Sequence, residues 1–168
     1  MSTLDLQPFS GPLTAIAINE WLNKCENKFQ LYDNDHPAAK LSEQQKVDHA
    51  GDKIADNEVT HDLYDWFSGA KDIKAWNIFK DQLKEEALSA DWRARVLEAF
   101  FTTKQDGKSA EAYIRELDEW RSVIANSSKL RPIDEYAFNY HMLFHATPAV
   151  TAELWIAILT SWMRKSVK

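Results

Sequence analysis

Residues 14–32 read TAIAINEWLNKCENKFQLY, and this stretch determines the class of fold that the sequence predicts. Its large apolar side chains recur at steps of three and four residues, which places them along one face of an α-helix. The pattern therefore predicts a long amphipathic helix that begins near Thr14 and buries one face in a core. The residues of that face are Ile18, Trp21, Leu22, Cys25, Phe29 and Tyr32.

Three more helices are predicted before residue 90, and an extended segment over residues 1–13 precedes all four. Ser42, with Gln45 three residues later, predicts a capping box at the start of the second helix. Gly69 predicts the end of a short third helix, and Asp72 predicts the N-cap of the fourth. This half of the chain is thus interpreted as one four-helix domain, residues 1–90.

A break in the apolar pattern at residues 89–91 predicts a junction, and four further helices are expected after it. They are predicted over residues 92–103, from Ser109, from Pro132, and from Pro148 to about Arg164. Residues 91–168 are therefore interpreted as a second domain. The sequence as a whole predicts an all-α protein of two small helical bundles, with about eight helices in total.

The composition agrees with this fold class and excludes several functions. Only four Gly and five Pro occur in 168 residues, whereas all-β folds use turn residues freely. The net charge of −6 provides no general attraction to nucleic acid or to an anionic membrane, and no apolar run is long enough to span a bilayer. The first residues lack the basic and apolar regions of a secretory signal, so we expect a soluble, cytoplasmic protein.

No arrangement of residues indicates catalysis, a cofactor or a metal site. His141 and His145 have the spacing of a zinc-binding pair, but no suitable glutamate or cysteine accompanies them, so we interpret them as ordinary helix-face residues. Cys25 lies on the apolar face of the first helix, which favours a packing role over a nucleophilic one. The basic residues within 164–168 are interpreted as complementing a helix dipole. Without a zinc knuckle, they predict no specific nucleic-acid binding.

The order of several motifs resembles the Gag polyprotein of gypsy-type (Metaviridae) retrotransposons with long terminal repeats. A Phe-x-Gly element precedes an aromatic helix, a Lys-Val-x-x-Ala segment, a Trp-Phe pair, a Trp-x-x-Phe-x-x-x-Leu helix and a turn that leads to Tyr-Ile. The resemblance covers roughly residues 8–155. The matching positions are Phe9 and Gly11; Trp21, Glu26 and Phe29; Lys46, Val47 and Ala50; Trp66 and Phe67; Trp76, Phe79 and Leu83; Gln105, Gly107, Ser109, Tyr113 and Ile114.

Gag proteins of this kind are similar in fold to retroviral capsid protein and to the neuronal Arc protein. The resemblance implies a capsid N-terminal-like domain and a capsid C-terminal-like domain joined near residue 90. It also implies a structural protein that assembles with copies of itself into a virus-like shell through weak, repeated contacts. The alternative is a domesticated, Gag-derived adaptor that binds peptides in a groove of the N-terminal domain, which the segment around Phe9 could itself occupy.

Residues 105–117 also resemble the major homology region of retroviral capsids. Gly107 permits a tight turn, Gln105 can bond the backbone groups of that turn, and Glu111 lies in the first turn of the next helix, where negative charge is favoured. An ordinary loop-to-helix turn explains the same residues, so both interpretations stay open. The matching residues, the last three of which are expected to anchor the helix in the core, are Gln105, Gly107, Glu111, Tyr113, Ile114 and Leu117.

Self-association requires more apolar surface than one core uses, and the last predicted helix offers such a surface. Its apolar residues cover nearly its whole circumference, which is typical either of a helix with a partner or of a buried closing helix. We expect the C-terminal domain to form a homodimer. The candidate residues, chosen because large side chains commonly anchor interfaces, are Trp92, Phe101, Trp155, Leu159 and Trp162.

Overall fold

A computed structural model describes residues 4–69 and 72–147, and within these ranges the protein is all-helical, as predicted. The eighth helix predicted from Pro148, with its candidate residues Trp155, Leu159 and Trp162, lies outside the described residues. No helix within the described ranges is both long and apolar enough to cross a membrane. The described helices are α1 (Ala15–Asp35), α2 (Glu43–Gly51), α3 (His61–Gly69), α4 (Trp76–Ala87), α5 (Trp92–Thr102), α6 (Ala110–Ala125) and α7 (Glu135–His145).

The first two helices begin where local capping signals predict. The Thr14 hydroxyl accepts a hydrogen bond from the Ala17 amide at 3.2 Å, which satisfies one of the free amides at the start of α1. At α2, Ser42 and Gln45 form the reciprocal capping box, since each side chain bonds the other residue's backbone amide. Both helix starts are therefore encoded within a few residues of sequence.

The start of α4 corrects the prediction that Asp72 is its N-cap. The helix begins four residues later at Trp76, and its N-cap residue, Ala75, has no side chain that can accept a hydrogen bond. The carboxylate of Glu43, on α2, accepts a hydrogen bond from the Trp76 amide at 3.2 Å instead. The cap thus comes from another helix, and no local signal could reveal it.

The chain divides into two compact units. Unit 1 comprises Met1–Trp92 and Asn126–Lys129, and unit 2 comprises Arg93–Ala125 and Leu130–Lys168. The chain first passes from unit 1 to unit 2 after Trp92, near the break in the sequence pattern at residues 89–91. The return of residues 126–129 to unit 1 has no counterpart in the sequence prediction.

The core of unit 1 is built from aromatic contacts between helices. The Trp76 ring on α4 meets the edge of Phe29 on α1 at 5.2 Å between centroids and stacks on Phe79 at 5.3 Å. Gly51 ends α2 directly beneath the Phe67 ring, and a Cβ added there would lie 1.8 Å from that ring. The close approach of α2 and α3 therefore depends on a residue without a side chain at position 51.

Residues Asn126–Lys129 are fixed to unit 1 by polar contacts. The buried Lys84 ammonium donates a hydrogen bond to the Asn126 carbonyl oxygen at 2.8 Å, and the Asn126 amide group donates to the Asn19 side chain at 3.0 Å. The Asp81 carboxylate accepts hydrogen bonds from the backbone and the hydroxyl of Ser128. Burying a lysine is costly unless its charge is hydrogen-bonded, so this loop completes the interior of unit 1.

Unit 2 has a core of its own, formed by the inner faces of α5, α6 and α7. Tyr113 is fully buried, and its hydroxyl donates a hydrogen bond to the Met142 carbonyl oxygen at 3.2 Å, which ties α6 to α7. The buried apolar residues of this core are Val96, Phe100, Tyr113, Leu117, Val123, Ile124, Phe138, Met142 and Leu143.

Candidate functional site

The turn between α5 and α6 reverses the chain through a backbone conformation that favours glycine. Asp106 and Gly107 both have positive φ angles, of +37° and +78°. A Cβ at Gly107 would meet nothing within 4 Å, so the backbone conformation, and not crowding, is what a larger residue would oppose. The turn expected from the sequence is present at these residues.

Gln105 connects this turn to the end of α7. Its side-chain amide donates a hydrogen bond to the Lys108 carbonyl oxygen at 3.0 Å, within the turn, as the sequence predicts. Its side-chain oxygen accepts hydrogen bonds from the Thr147 amide at 2.8 Å and from the Thr147 hydroxyl at 3.1 Å. The Gln105 backbone amide donates to the His145 carbonyl oxygen at 3.1 Å. The buried Gln105 side chain thereby bonds both the turn, at Lys108, and the residue that follows α7 closely, Thr147.

The other residues of the segment resembling the major homology region belong to α6. Glu111 lies in the first helical turn and is exposed, while Leu117 is fully buried and Ile114 is half-buried. Burial, and after it the nearby Glu116, raise the pKa of Tyr113 to about 12, so the phenol stays a neutral donor. The segment therefore ties the turn before α6, and α6 itself, to the C-terminal end of α7 through hydrogen bonds of Gln105 and Tyr113.

Two of the predicted self-association residues lie within the described ranges, and they differ in exposure. Phe101 is 53% exposed, in keeping with a contact surface. Trp92 is only 3% exposed, and its ring lies 5.9 Å from the Lys84 ammonium in unit 1. Trp92 is therefore buried in the described residues and offers no exposed anchor there, contrary to the surface position that self-association requires.

Sequence reasoning missed an exposed row of aromatic rings on α7, which we call the aromatic stripe: Tyr136, Tyr140 and Phe144. These residues are 58%, 36% and 76% exposed, and adjacent rings lie 4.4 Å and 5.8 Å apart. The spacing of four residues was a usable signal, since Phe138 and Met142 already supply the buried face of the same helix. The stripe is thus additional to what the core of unit 2 uses.

The rings of His141 and His145 pack against each other, and that of His141 also packs against Phe100. The His141 ring stacks on Phe100 at 4.9 Å and lies tilted against His145 at 4.4 Å, and burial lowers the pKa of His141. No group of three His, Cys, Asp or Glu side chains among the described residues is arranged to hold a metal ion. The pair is therefore a packing feature of α7 in this part of the chain.

The segment around Phe9 lies against unit 1 and is bonded through its backbone. The Phe9 amide donates to the Lys53 carbonyl oxygen at 2.8 Å, and the Ala55 amide donates to the Phe9 carbonyl oxygen at 2.9 Å, which forms an isolated parallel β-bridge. The buried Phe9 ring lies 5.3 Å from Trp21, whose indole NH donates to the Gln7 carbonyl oxygen. Residues 7–9 therefore pack against unit 1, with Phe9 in its core.

Cys25 is the single cysteine of the chain, and its environment opposes reactivity. The side chain is 2% exposed, and burial raises the pKa of the thiol to about 12, with the adjacent Glu26 acting in the same direction. Since the thiolate is the reactive form, this residue is a packing residue of α1 and unsuited to nucleophilic attack.

The chain has no match among protein-family models, curated proteins or solved structures.

Proposed function

We propose that this chain is a structural capsid protein of the retrotransposon Gag type, which assembles with copies of itself in the cytoplasm through weak, repeated contacts. The observation that carries the proposal is the aromatic stripe of unit 2, since contiguous exposed aromatic rings mark interaction surfaces on small proteins. The order of the sequence motifs supports the same class of protein. Its role is structural and not catalytic, and specific nucleic-acid recognition lies with other proteins or segments.

The aromatic stripe suits a symmetric contact between two copies. Its rings lie in a row along one helix, so the same helix of a second copy, related by a two-fold axis, can cover them. Phe101 on α5 is a further exposed ring of unit 2, and it lies 5.9 Å from His141 on α7. Each such contact is small, and repetition over many copies supplies the total stability of a shell.

Gln105 has a positioning role in this proposal. Because Gln105 bonds His145 and Thr147 at the end of α7, it fixes the helix that carries the aromatic stripe. A contact repeated over many copies requires one orientation of that helix, since errors accumulate from copy to copy. The segment resembling the major homology region therefore supports assembly without touching the partner.

Light scattering during size-exclusion chromatography tests the proposal. Wild type should show a mass that rises with concentration, and negative-stain microscopy should show particles. A Tyr136→Ser/Phe144→Ser variant should require at least about tenfold more protein to associate, because two exposed anchors are lost. Leu31→Ser, which removes an exposed apolar side chain from α1 in unit 1, is the matched control.

Two outcomes contradict the proposal. One is a wild-type chain that stays monomeric at every concentration and salt. The other is a stripe variant that associates as strongly as the Leu31→Ser control. Trp155→Ala and Trp162→Ala, measured alongside, report whether residues 148–168 contribute to the same contact.

A second candidate function is a peptide-binding adaptor, and the backbone contacts of Phe9 favour it. Unit 1 binds this extended segment through backbone hydrogen bonds to Lys53 and Ala55, a mode that a partner peptide can reproduce. An adaptor predicts that Phe9→Ala, which loosens the chain's own segment, binds the labelled peptide LDLQPFSG (residues 4–11) while remaining a monomer or dimer. Absence of binding to this variant contradicts the adaptor function.

A further inference from the structure

A groove in unit 1 lies between α2 and α3, and none of residues 4–13 lines it. Its volume is about 520 Å³, and its apolar wall is formed by Val47, Phe67 and Ile73. The groove remains open although the Phe67 ring reaches Gly51 across the two helices. An occupant therefore needs at least one large apolar side chain to cover this wall.

The edge of the groove is acidic. Asp48 and Asp52 line it from α2, while no lysine or arginine of the described residues does so. Gln44 donates a hydrogen bond to the Asp48 carboxylate at 2.8 Å, but an amide leaves its charge in place. The Asp52 carboxylate forms no ion pair with a described residue. The complementary occupant thus combines a large apolar side chain with neighbouring cations.

We infer that this groove binds residues 162–168 of a second copy of the chain. These residues read WMRKSVK, which places Trp162 and Met163 directly before three cations, with no acidic residue among them. Both the apolar and the charged requirements of the groove are therefore met by one segment of this chain.

The inference rests on the proposed function and adds a second contact, which the aromatic stripe alone cannot provide. A two-fold contact through the stripe joins two copies and then closes, so alone it yields only dimers. A contact between unlike surfaces of two copies continues from one copy to the next, and the two contacts together generate an extended lattice. Because charge pairs at exposed edges are screened by salt, the groove contact should weaken between about 0.05 M and about 0.5 M NaCl.

Charge reversal tests the contact in the full chain. Asp48→Lys/Asp52→Lys gives the groove variant, and Arg164→Glu/Lys165→Glu gives the C-terminal variant. In sedimentation velocity, each alone should require at least about tenfold more protein to form species beyond the dimer, since like charges then face each other. An equimolar mixture of the two variants should recover association, because the lysines of one copy meet the glutamates of the other.

The matched control is Asp62→Lys/Asp65→Lys, which makes the same change of charge on exposed residues of α3 that do not line the groove. Circular dichroism melting of every variant verifies that unit 1 remains folded. The inference is overturned if the groove variant associates like this control, or if the mixture of oppositely charged variants recovers nothing.

Binding of a fluorescent peptide of residues 160–168, measured by anisotropy with the full chain, separates the two ideas. If association is lost in the stripe variant while the groove variant associates normally and binds the peptide no less than wild type, the groove inference fails and the proposed function stands. If wild type stays monomeric yet binds the peptide, and the groove variant does not, the proposed function fails and recognition of residues 162–168 by the groove stands.

Discussion

Replacing Gln105 with alanine should loosen the end of α7 without unfolding unit 1. The side chain makes three hydrogen bonds, one to Lys108 and two to Thr147, and each contributes about 1 kcal/mol when its partners are protein groups. Thr147 is exposed, so water replaces part of what it loses. The net cost to unit 2 is therefore about 2 kcal/mol.

Native-state hydrogen exchange measures this cost in unit 2 alone, which global melting of a two-unit chain does not. A loss of about 2 kcal/mol corresponds to roughly thirtyfold faster exchange of the Tyr113 and Leu117 amides. The exchange rates of the α1 amides, which belong to unit 1, should be unchanged. Lys104→Ala, at an exposed neighbouring position, is the control. Exchange within threefold of wild type for Gln105→Ala, about 0.6 kcal/mol, would refute the role given to this side chain.

Three further perturbations have defined outcomes. Gly51→Ala should lower the free energy of unfolding of unit 1 by about 1–3 kcal/mol in urea, because the new Cβ clashes with the Phe67 ring. Gly69→Ala, whose Cβ would meet nothing within 4 Å, should not. Equal urea midpoints for the two variants would contradict this. Cys25 should react with a thiol reagent only after unfolding, and rapid labelling of the folded chain would disprove its burial. In an NMR titration, His61 should titrate above its ordinary pKa, chiefly because Asp56 bonds its ring, and His141 below, because burial disfavours its charge. The stability that His61 contributes is thus complete below about pH 6.5 and is lost as pH rises through its folded pKa. The stability that His141 contributes is complete above about pH 6.5 and is lost as pH falls towards its folded pKa. Titration of the two residues in the reverse order would contradict both assignments.

Features encoded within one turn of sequence were predictable, and those formed across helices were not. The helix start near Thr14 and the capping box at Ser42 were predicted, and both are confirmed, because hydroxyls there lie next to free helix amides. The start of α4 depends on Glu43, which is 33 residues away from Trp76, and its prediction was wrong. Trp92 was expected at a self-association surface but is buried, since the position of a tryptophan on a helix does not reveal whether its own chain or a partner covers it.

The same division applies to the candidate site. The bond from Gln105 to the turn was predictable because its partner, Lys108, lies three residues away. Its bonds to Thr147, 42 residues distant, required the tertiary structure. The aromatic stripe could have been found from the four-residue spacing of Tyr136, Tyr140 and Phe144, but only after Phe138 and Met142 were assigned to the core.

The return of Asn126–Lys129 to unit 1 limits how this chain can be dissected. Because the backbone leaves unit 1 after Trp92 and visits it once more, no single cut yields both units intact. A fragment of residues 1–92 would retain the buried Lys84 but lose the Asn126 carbonyl that accepts its hydrogen bond. Proteolytic nicking near residue 92 should therefore leave the two pieces associated until denaturant is added, and a separately expressed first half should be less stable than the same residues in the full chain.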